Sequence, residues 1–503
     1  MPFVKPTKIY WFLFVVILLI SSYLRLQSSI NGTFAYTYDV GRDMLNIANI
    51  VDAHHISLIG PTTGQEGIFY GPWWYWLITP FFILFSGSVR GIDAFMGLTG
   101  VLTVLLVYWL GNKIGGRWVG LLSMLFAGIS NSLIDTSSQI WNPNVSPLVL
   151  ICILIVIVKF SEEEHKINQS RWLVLLGLLA ALSFDSLEIV YGSVQLIALL
   201  VFMFVYLRKK FRPYNIFSFL TGVVIIELPR IMFEFRHQFL MTKALFYYIF
   251  HHAPVSQSGG ILTQSGKVLT LMLQLWSGTV NLPFEFGVIL LVIVISGLVY
   301  FKTISSFNKT ENLLGVFSTC YLLSYVIILS FFKGNVWDHF VVGVPVVYVI
   351  MFSLFIYRLL LFLKTKNANY FNFILVIIVV YVLGVLSPNL HYNRVFFLND
   401  PSVYNNQVAV INYIYAQAKG RPFSYNVYTP PIHPYTYEYL FSYYAKNNYY
   451  APSNNGHLLF YIIEPDKTHP TLRESWLLRH DNRGKLIKSL TFPGHILVQT
   501  RII

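Results

Sequence analysis

The chain alternates long apolar runs with short polar segments from Ile9 to Pro388. The runs are roughly 16 to 25 residues long, a length that suits helices crossing a ~30 Å hydrocarbon layer. The pattern therefore predicts a mainly α-helical, polytopic membrane bundle of about eleven spans. The predicted spans are 9–26, 93–111, 118–134, 145–160, 171–184, 188–207, 214–229, 285–301, 312–331, 340–363 and 370–387.

The apolar segment 72–87 is predicted to lie in the membrane interface without crossing it. The segment contains two prolines and begins with Trp73-Trp74-Tyr75-Trp76, and Trp and Tyr favour the headgroup level. If it does not cross, the short loops on one side receive twice as many Lys and Arg residues as the longer loops opposite. If it crossed, the basic cluster 208–212 would lie outside, against the positive-inside rule.

The charge distribution places the N-terminus in the cytoplasm and the C-terminus outside the cytoplasmic membrane. The acids of the membrane region separate in the same way, although the rule says little about acids. The cytoplasmic acids are Glu162, Glu163, Glu164 and Glu311. The acids at or near the outer face are Asp39, Asp43, Asp52, Glu66, Asp93, Asp135, Asp185, Glu188, Glu227, Glu234, Glu285 and Asp338. This separation indicates a polar site that faces outward.

The composition changes after Pro388. Residues 389–503 are rich in Tyr, Asn and Pro and contain no apolar run long enough to span. We therefore divide the chain into a transmembrane region, 1–388, whose first outer loop is 27–92, and a small α/β domain outside the membrane, 389–503. In this domain the pattern predicts helices at 401–418 and 433–446 and strands at 423–429, 457–464, 485–491 and 495–502.

Composition and charge narrow the functional classes. Hydrophobic residues make up 55% of the chain and charged residues 11%, against about 25% charged residues in soluble domains. The net charge of +13 would suit nucleic acid, but the basic residues lie in short clusters between apolar runs, so we expect membrane lipids and no nucleic acid as partners. Cys152 and Cys320 both lie inside apolar runs, which argues against a disulfide or a Cys-based metal site.

The first outer loop carries Asp39 and Asp43 beside a predicted amphipathic helix over 42–53. One interpretation makes Asp39 a helix cap and Asp43 a first-turn acid favoured by the helix dipole. The other makes Asp39 a general base whose basicity is raised by partial burial near the membrane surface. With a phosphate, the two acids could also hold a divalent cation, so the need for a metal stays open. Glu66 is a further acid in this loop.

Three later outer segments hold candidate binding residues. The turn Trp141-Asn142-Pro143-Asn144 has Trp141 as an interface anchor. In 227–237, Arg230 and Glu234 are four residues apart, so one helical face can carry their salt bridge. Arginines in this segment can equally bind a phosphate, because their planar fork suits its oxygens. The third segment, 333–339, offers Lys333 and His339, whose alternative roles are snorkelling and helix-end hydrogen bonding.

Taken in order, these segments resemble the glycosyltransferase family 39 group of the GT-C superfamily, which includes protein O-mannosyltransferases and lipid A aminoarabinose transferases. The resemblance covers about residues 1–390. Its strongest part is the first loop, where Tyr38-Asp39 follows the first span and Phe69-Tyr70-Gly71-Pro72-Trp73-Trp74-Tyr75-Trp76-Leu77 follows an amphipathic helix. Family members typically have a lysine where this chain has Gly71, so one phosphate contact of the family is missing here.

The resemblance implies transfer of a sugar from a polyprenyl-phosphate donor to an acceptor hydroxyl of a lipid, glycan or protein, with inversion at the anomeric carbon. It implies Asp39 as the base, and the secondary acid candidates are Asp43, Glu66 and Glu234. The predicted phosphate-binding residues are Arg230, Arg236, Lys333 and His339. The candidates that line the substrate are Tyr38, Tyr70, Trp73, Trp141, Asn142 and Asn144.

Two other classes of protein remain open. The main alternative is a transporter or flippase of envelope glycolipids, although we see no duplicated halves and few charges deep in the spans. A non-catalytic scaffold would not require the acidic first loop. An oligosaccharyltransferase is less expected, because the Trp-Trp-Asp-Tyr-Gly signature is absent.

Overall fold

The computed structural model of the protein describes residues 8–208, 213–251, 260–366, 368–391, 399–447, 449–453, 456–481 and 483–503. Four of the basic residues used for the topology prediction lie outside these ranges: Lys5, Lys209, Lys210 and Arg212. The described chain consists of a helical bundle followed by one small sheet with its own helices.

Sixteen helices form the first part of the described chain. They are α1 (Lys8–Asn31), α2 (Tyr38–Asp52), α3 (Trp73–Leu84), α4 (Val89–Gly115), α5 (Arg117–Ile129), α6 (Asn131–Thr136), α7 (Ser146–Glu162), α8 (Lys166–Leu182), α9 (Ile189–Phe202), α10 (Pro213–Arg236), α11 (Leu240–His251), α12 (Ile261–Thr279), α13 (Phe284–Ile304), α14 (Lys309–Ser330), α15 (Val344–Lys366) and α16 (Ala368–His391). Single 3-10 or π turns occur at Asn142–Val145, Ser183–Leu187, Met203–Leu207 and Asp338–Val341.

Nine helical segments of the described residues are long and apolar enough to cross a membrane, and they match nine of the eleven predicted spans. They contain α1, α4, α7, α8, α9, α10, α13, α14 and α15. The other two predicted spans fall on shorter apolar helices, namely α5 and the Asn372–Leu386 part of α16. The prediction of a polytopic membrane bundle is confirmed, and α11 and α12 are helices that it did not include.

Ion pairs and hydrogen bonds define the two ends of the bundle. At one end, the basic end, Lys113 Nζ lies 3.2 Å from Glu162 Oε1 and Lys309 Nζ donates to Ser161 O at 2.6 Å. This end joins α4, α7 and α14, and it is the predicted cytoplasmic end. The opposite end, the acidic end, contains Asp93, to which Ser29 donates a hydrogen bond of 2.6 Å.

The segment between α1 and α4 does not cross the membrane. The hydrogen bond from Ser29 to Asp93 joins the last turns of α1 to the first turns of α4, so the chain leaves and re-enters the bundle at the same end. The helix α3, which has 12 residues, is about 18 Å long and too short to cross. The structure therefore agrees with an interfacial position for 72–87.

A short helix completes one of the crossings. Because α4 and α7 both end at the basic end, the segment between them has to return to the acidic end. Helix α5 has 13 residues, or about 20 Å, and Ser130 separates it from α6, which continues the path. The predicted span 118–134 is thus made of two helices with a break.

The C-terminal region forms a four-stranded sheet that is flanked by three helices. Its elements are α17 (Tyr404–Ala418), β1 (Phe423–Tyr428), α18 (Tyr435–Lys446), β2 (Leu458–Ile463), α19 (Pro470–His480), β3 (Lys485–Phe492) and β4 (Ile496–Ile502). The strand order is β1-β2-β4-β3, with β1 and β2 parallel and the other pairs antiparallel. The four predicted strands and two predicted helices are present, and α19 is an additional helix.

This C-terminal region covers the first loop. Tyr36 N donates to Ser402 O at 2.6 Å, which joins the segment after α1 to the segment before α17. Helix α2 packs on α18 so closely that a Cβ at Gly41 would lie 2.5 Å from Thr436 N. Only glycine permits this approach of the two backbones. The acids of the first loop therefore lie beneath the C-terminal region.

Candidate active site

The first two turns of α2 hold a cluster of charged residues, Asp39, Arg42 and Asp43, which we call the first-loop cluster. Arg42 lies between the two acids: its Nη1 is 2.8 Å from Asp39 Oδ1, and its Nη2 is 2.9 Å from Asp43 Oδ1. Both carboxylates lie near the N-terminus of the helix, where the helix dipole favours negative charge. One guanidinium thus fixes the positions of both acids.

Asp43 is enclosed by hydrogen-bond donors. Its Oδ2 accepts from Trp74 Nε1 at 2.9 Å and its Oδ1 accepts from Tyr75 OH at 3.3 Å, in addition to Arg42. Its side chain is only 3% exposed. Asp43 therefore connects α2 to α3, and we expect its contribution to be structural rather than that of a secondary catalytic acid.

Asp39 differs from Asp43 because one of its oxygens is available. Its side chain is 25% exposed, its Oδ1 contacts Arg42, and its Oδ2 has no partner among the described residues. Burial raises the pKa of Asp39 above its usual value, and the charge of Arg42 opposes this shift. A partly buried carboxylate with a raised pKa and an open oxygen has the properties of a general base.

Asp39 lies in the wall of a cavity of about 310 Å³ at the acidic end. One wall comes from the first loop and the segment 139–141, and the other comes from the C-terminal region. The lining residues are Ala35, Tyr36, Thr37, Tyr38, Asp39, Val40, Gln139, Ile140, Trp141, Ser402, Gln407, Thr429, Pro430, Pro431, His433, Thr436 and Glu464. Of the predicted site residues, the structure brings Tyr38, Asp39 and Trp141 together here.

A second set of predicted residues lies beside the turn at 141. Tyr70 OH donates to Glu188 Oε2 at 2.7 Å, and His339 Nε2 is 3.9 Å from the same oxygen. The His339 ring packs edge-on against Trp141 at 5.0 Å between centroids. Burial lowers the pKa of His339 to about 4, so the ring is uncharged at neutral pH and can contact a phosphate only as an N–H donor.

Arg230 forms a second group of one arginine and two acids, the helix cluster, with Asp185 and Glu227. Its Nε is 3.2 Å from Asp185 Oδ1 and donates to Glu227 Oε2 at 3.0 Å. Its Nη1 has no partner among the described residues. Gly71 N donates to Asp185 O at 2.8 Å, and a Cβ at Gly71 would lie 1.6 Å from Asp185 Oδ2. The position of Asp185 therefore leaves no room for a side chain at residue 71.

The salt bridge predicted between Arg230 and Glu234 is corrected by the structure. Arg230 pairs with Glu227, three residues before it, because this orientation also reaches Asp185 in the π turn that follows α8. The carboxylate of Glu234 instead accepts from Met241 N at 2.8 Å and from Thr242 N at 2.9 Å. Glu234 thus satisfies the free N–H groups at the start of α11.

Three further predicted residues are exposed side chains. Glu66, Arg236 and Lys333 have no hydrogen bond or ion pair with any residue that the structure describes, and none of them lines the cavity. The remaining candidates hold backbone segments in place. Trp73 donates to Ile226 O, Asn142 to Ser186 O and Leu187 O, and Asn144 to Gln139 O.

A metal ion does not fit between Asp39 and Asp43 in this arrangement, since the Arg42 guanidinium occupies the position between their carboxylates. In the parts of the chain that the structure describes, no group of three or more His, Cys, Asp or Glu side chains could hold a metal ion. The positive charge beside the carboxylates of Asp39 and Asp43 comes from the Arg42 guanidinium.

Sequence reasoning missed Glu464, which lines the cavity opposite the first loop. The available signal was its place directly after the fully buried strand β2, because an acid at the end of a buried strand is unusual. It also missed the roles of Asp185, Glu188 and Glu227, although all three were placed at the outer face. Their contacts depend on helix packing.

Comparisons with known proteins agree with this architecture. Residues 70–233 match the family model of the dolichyl-phosphate-mannose-protein mannosyltransferases. The structure is similar to ArnT from Cupriavidus metallidurans bound to undecaprenyl phosphate, with a TM-score of 0.60, 12% identity and coverage of 97% of this chain and 98% of that chain. Similarity to apo ArnT gives a TM-score of 0.59, 13% identity and coverage of 97% of both chains.

No curated protein matches the chain in sequence. At 12–13% identity the structural likeness shows the fold alone, while the family match concerns the sequence of residues 70–233, which contains Tyr70, Gly71 and the helix cluster. The whole chain is therefore similar in fold to ArnT, and its residues 70–233 are similar in sequence to the dolichyl-phosphate-mannose-protein mannosyltransferases.

Proposed function

We propose that the protein transfers a sugar from a polyprenyl-phosphate donor to an acceptor hydroxyl at the outer face of the cytoplasmic membrane, with inversion. Asp39 acts as the base. The observation that carries this proposal is the position of Asp39, whose Oδ1 is held by Arg42 while its Oδ2 is open beside the cavity.

The reaction balances with the groups present. The acceptor O–H loses its proton to Asp39 as the acceptor oxygen bonds to the anomeric carbon. The bond from that carbon to the phosphate oxygen breaks, and its electron pair leaves with the polyprenyl phosphate. Inversion requires the acceptor and the phosphate on opposite sides of the sugar, and the protein offers two separate sites for them.

The site that suits the phosphate is a groove of about 260 Å³ next to the helix cluster. Its lining residues are Arg230, Ile231, Glu234, Phe235, Phe239 and Thr242. Phe235 is 69% exposed and Phe239 47% exposed. The groove therefore combines exposed apolar side chains with the Arg230 guanidinium, whose Nη1 is available. A phosphate on a polyprenyl chain presents the same combination of an anion and an apolar tail.

The relatives support this donor class. One similar structure is ArnT bound to undecaprenyl phosphate, and the matching family is named for dolichyl-phosphate-mannose. Undecaprenyl phosphate is a polyprenyl phosphate, and dolichyl-phosphate-mannose is the mannose ester of one. Nucleotide sugars are not available outside the cytoplasmic membrane, so a donor used there has to be carried by a lipid.

The test is sugar transfer by the purified full-length protein in lipid nanodiscs, using a radiolabelled polyprenyl-phosphate sugar. Asp39→Asn keeps the size of the side chain but removes its basicity, and we expect turnover to fall by about 10²-fold or more. The matched control is Asp52→Asn at the other end of α2, where the side chain is exposed and pairs with Lys446.

The control should turn over at the wild-type rate. Near-normal transfer by Asp39→Asn would remove Asp39 from the mechanism. A flippase would move labelled donor across the membrane without releasing polyprenyl phosphate, so measurement of the released lipid phosphate separates the two functions.

A further inference from the structure

The cavity beside Asp39 has an acidic lining in the part of the chain that the structure describes. None of its lining residues in the described chain is Lys or Arg, and its two acids are Asp39 and Glu464. The Arg42 guanidinium that contacts Asp39 is already shared with Asp43. A phosphorylated ligand would therefore add negative charge beside Asp39 and Glu464 with no unpaired lysine or arginine in the described lining, which is unfavourable in a partly buried site.

Glu464 is fixed as part of this wall. It follows β2, its backbone N donates to Tyr428 O at 3.0 Å, and its Oε1 accepts from Tyr437 OH at 2.8 Å. The residue is 6% exposed, and its Oε2 has no partner among the described residues. Burial raises the pKa of Glu464 to about 7, so the carboxyl can donate or accept a hydrogen bond near neutral pH.

A third acceptor in the wall also lacks a donor. The side-chain amide of Gln407 donates to Tyr36 O at 3.3 Å and to Pro401 O at 3.1 Å, which fixes its orientation. Its Oε1 is buried without a hydrogen-bond partner in the described chain. Because this oxygen is closed off from solvent, it makes the wall more polar, and direct contacts to a ligand come from the open oxygens of Asp39 and Glu464.

Aromatic rings form the remaining part of the wall. The Tyr38 ring packs against His433 at 6.3 Å between centroids, and His433 stacks on Tyr435 at 5.4 Å with an interplanar angle of 3°. Trp141 also lines the cavity. Flat apolar faces beside carboxylates suit a sugar ring, since such a ring has C–H faces and a hydroxyl edge.

We propose that this cavity binds the acceptor and that the acceptor is a neutral, hydroxyl-rich carbohydrate rather than a phosphorylated molecule. Glu464 binds its hydroxyl groups while Asp39 accepts the proton of the reacting one. The volume of about 310 Å³ is at the lower end of the ~300–1,000 Å³ range of ligand pockets and suits the terminal residue of a glycan. The inference rests on the proposed glycosyl transfer and adds the class of the acceptor.

The experiment compares three acceptors with the full-length protein and a polyprenyl-phosphate sugar. They are a neutral oligosaccharide, the same oligosaccharide carrying a phosphate monoester, and a Ser/Thr-containing peptide. We expect the neutral oligosaccharide to have a kcat/KM at least about tenfold above the other two, because it satisfies the unpaired acceptors without adding charge. A preference for the phosphorylated oligosaccharide or for the peptide overturns the inference.

Variants test whether Glu464 is the residue that binds the acceptor. Glu464→Gln keeps an oxygen that accepts from Tyr437 but loses the carboxylate. We expect KM for the neutral oligosaccharide to rise about tenfold, while kcat changes little. Glu474→Gln, an exposed position on α19, is the matched control and should keep the wild-type KM. An unchanged KM in Glu464→Gln also overturns the inference.

Two further measurements distinguish an incorrect acceptor class from an incorrect proposal of glycosyl transfer. Calorimetric titration of the neutral oligosaccharide into the Asp39→Asn protein tests binding without turnover. Absence of binding by this protein, once thermal unfolding shows that it is folded like the wild type, contradicts the inference. Cleavage of the donor by water, measured without an acceptor, tests the proposed function itself. If the donor is cleaved but the neutral oligosaccharide is not used, only the acceptor class is wrong.

Discussion

Two arginines at the acidic end of the bundle each lie between two carboxylates, yet their surroundings are opposite. In the first-loop cluster, Arg42 binds both acids, and the open oxygen of Asp39 is at a cavity with a second acid, Glu464. In the helix cluster, Arg230 binds both acids, and its own Nη1 is the group left available, beside exposed apolar side chains.

The difference shows how one motif can serve two purposes. A carboxylate that remains open suits removal of a proton, while a guanidinium that remains open suits stabilisation of a leaving phosphate. Tyr70 and Gly71 connect the two clusters, because Tyr70 interacts electrostatically with Arg42 and Asp39 while Gly71 N donates to Asp185 O. We infer that the sugar lies across this boundary, with the acceptor on one side and the lipid phosphate on the other.

The largest expected effect on the helix cluster comes from Arg230→Gln. Loss of the available guanidinium should lower kcat/KM for the polyprenyl-phosphate donor by about 10²-fold, because the charge of the leaving phosphate is no longer offset. The matched control is Arg236→Gln at the end of the same helix, where the side chain is exposed.

The control should change donor kcat/KM by less than about threefold, the effect of an exposed charge. Equal losses in the two variants would show that the phosphate is bound by the general positive charge of the helix end. The distinction between the two clusters would then be incorrect.

A smaller effect is expected from Gly71→Ala. The new Cβ would lie 1.6 Å from Asp185 Oδ2, so Asp185 has to move away from Arg230 and from Ser186, which donates to it at 2.7 Å. We expect a loss of about 1–3 kcal/mol in the free energy of unfolding and a higher KM for the donor.

The chain offers a close control in Gly64→Ala, since a Cβ at Gly64 has no heavy atom within 4 Å. Thermal unfolding and donor kinetics of both variants measure the difference. If Gly71→Ala behaves like Gly64→Ala, the contact between residue 71 and Asp185 does not determine the position of Arg230.

The sequence predicted most of the fold because apolar runs and alternating strands are local patterns. It failed where polar residues are satisfied by distant partners. Helix α12 contains Gln264 and Lys267, which interrupt the apolar pattern, but Gln264 is buried and donates to Phe332 O and Gly334 O beyond α14. No local pattern reveals those two carbonyl groups.

The candidate site shows the same limit. Asp39, Tyr38 and Trp141 were predicted as site residues, and they lie together at the cavity. Glu464 was not, because only the packing of the C-terminal region on α2 brings it to the first loop. The predicted partner of Arg230, Glu234, was wrong, because helical geometry permits pairing at either i−3 or i+4 and the structure has Glu227 at i−3. Asp185 on another helix decided between them.

A third effect concerns the protonation of Glu464, which lines the cavity beside Asp39 and not the groove beside Arg230. Burial raises its pKa from 4.5 to about 7, so the folded protein binds this proton more strongly than the unfolded chain does. The resulting stability is fully present below pH 4.5 and is lost as the pH rises through about 7.

Glu464→Gln stays neutral at every pH and keeps an oxygen for Tyr437 OH. We therefore expect the variant to unfold like the wild type at pH 4.5 and to be more stable by about 3 kcal/mol at pH 8, where the wild type buries a charge. Thermal unfolding of both proteins at the two pH values measures this, with Glu474→Gln as a control that should follow the wild type at both. A difference that does not depend on pH would mean that water or a cation solvates the Glu464 carboxylate. The cavity would then tolerate charge, and the case for a neutral acceptor would lose its electrostatic basis.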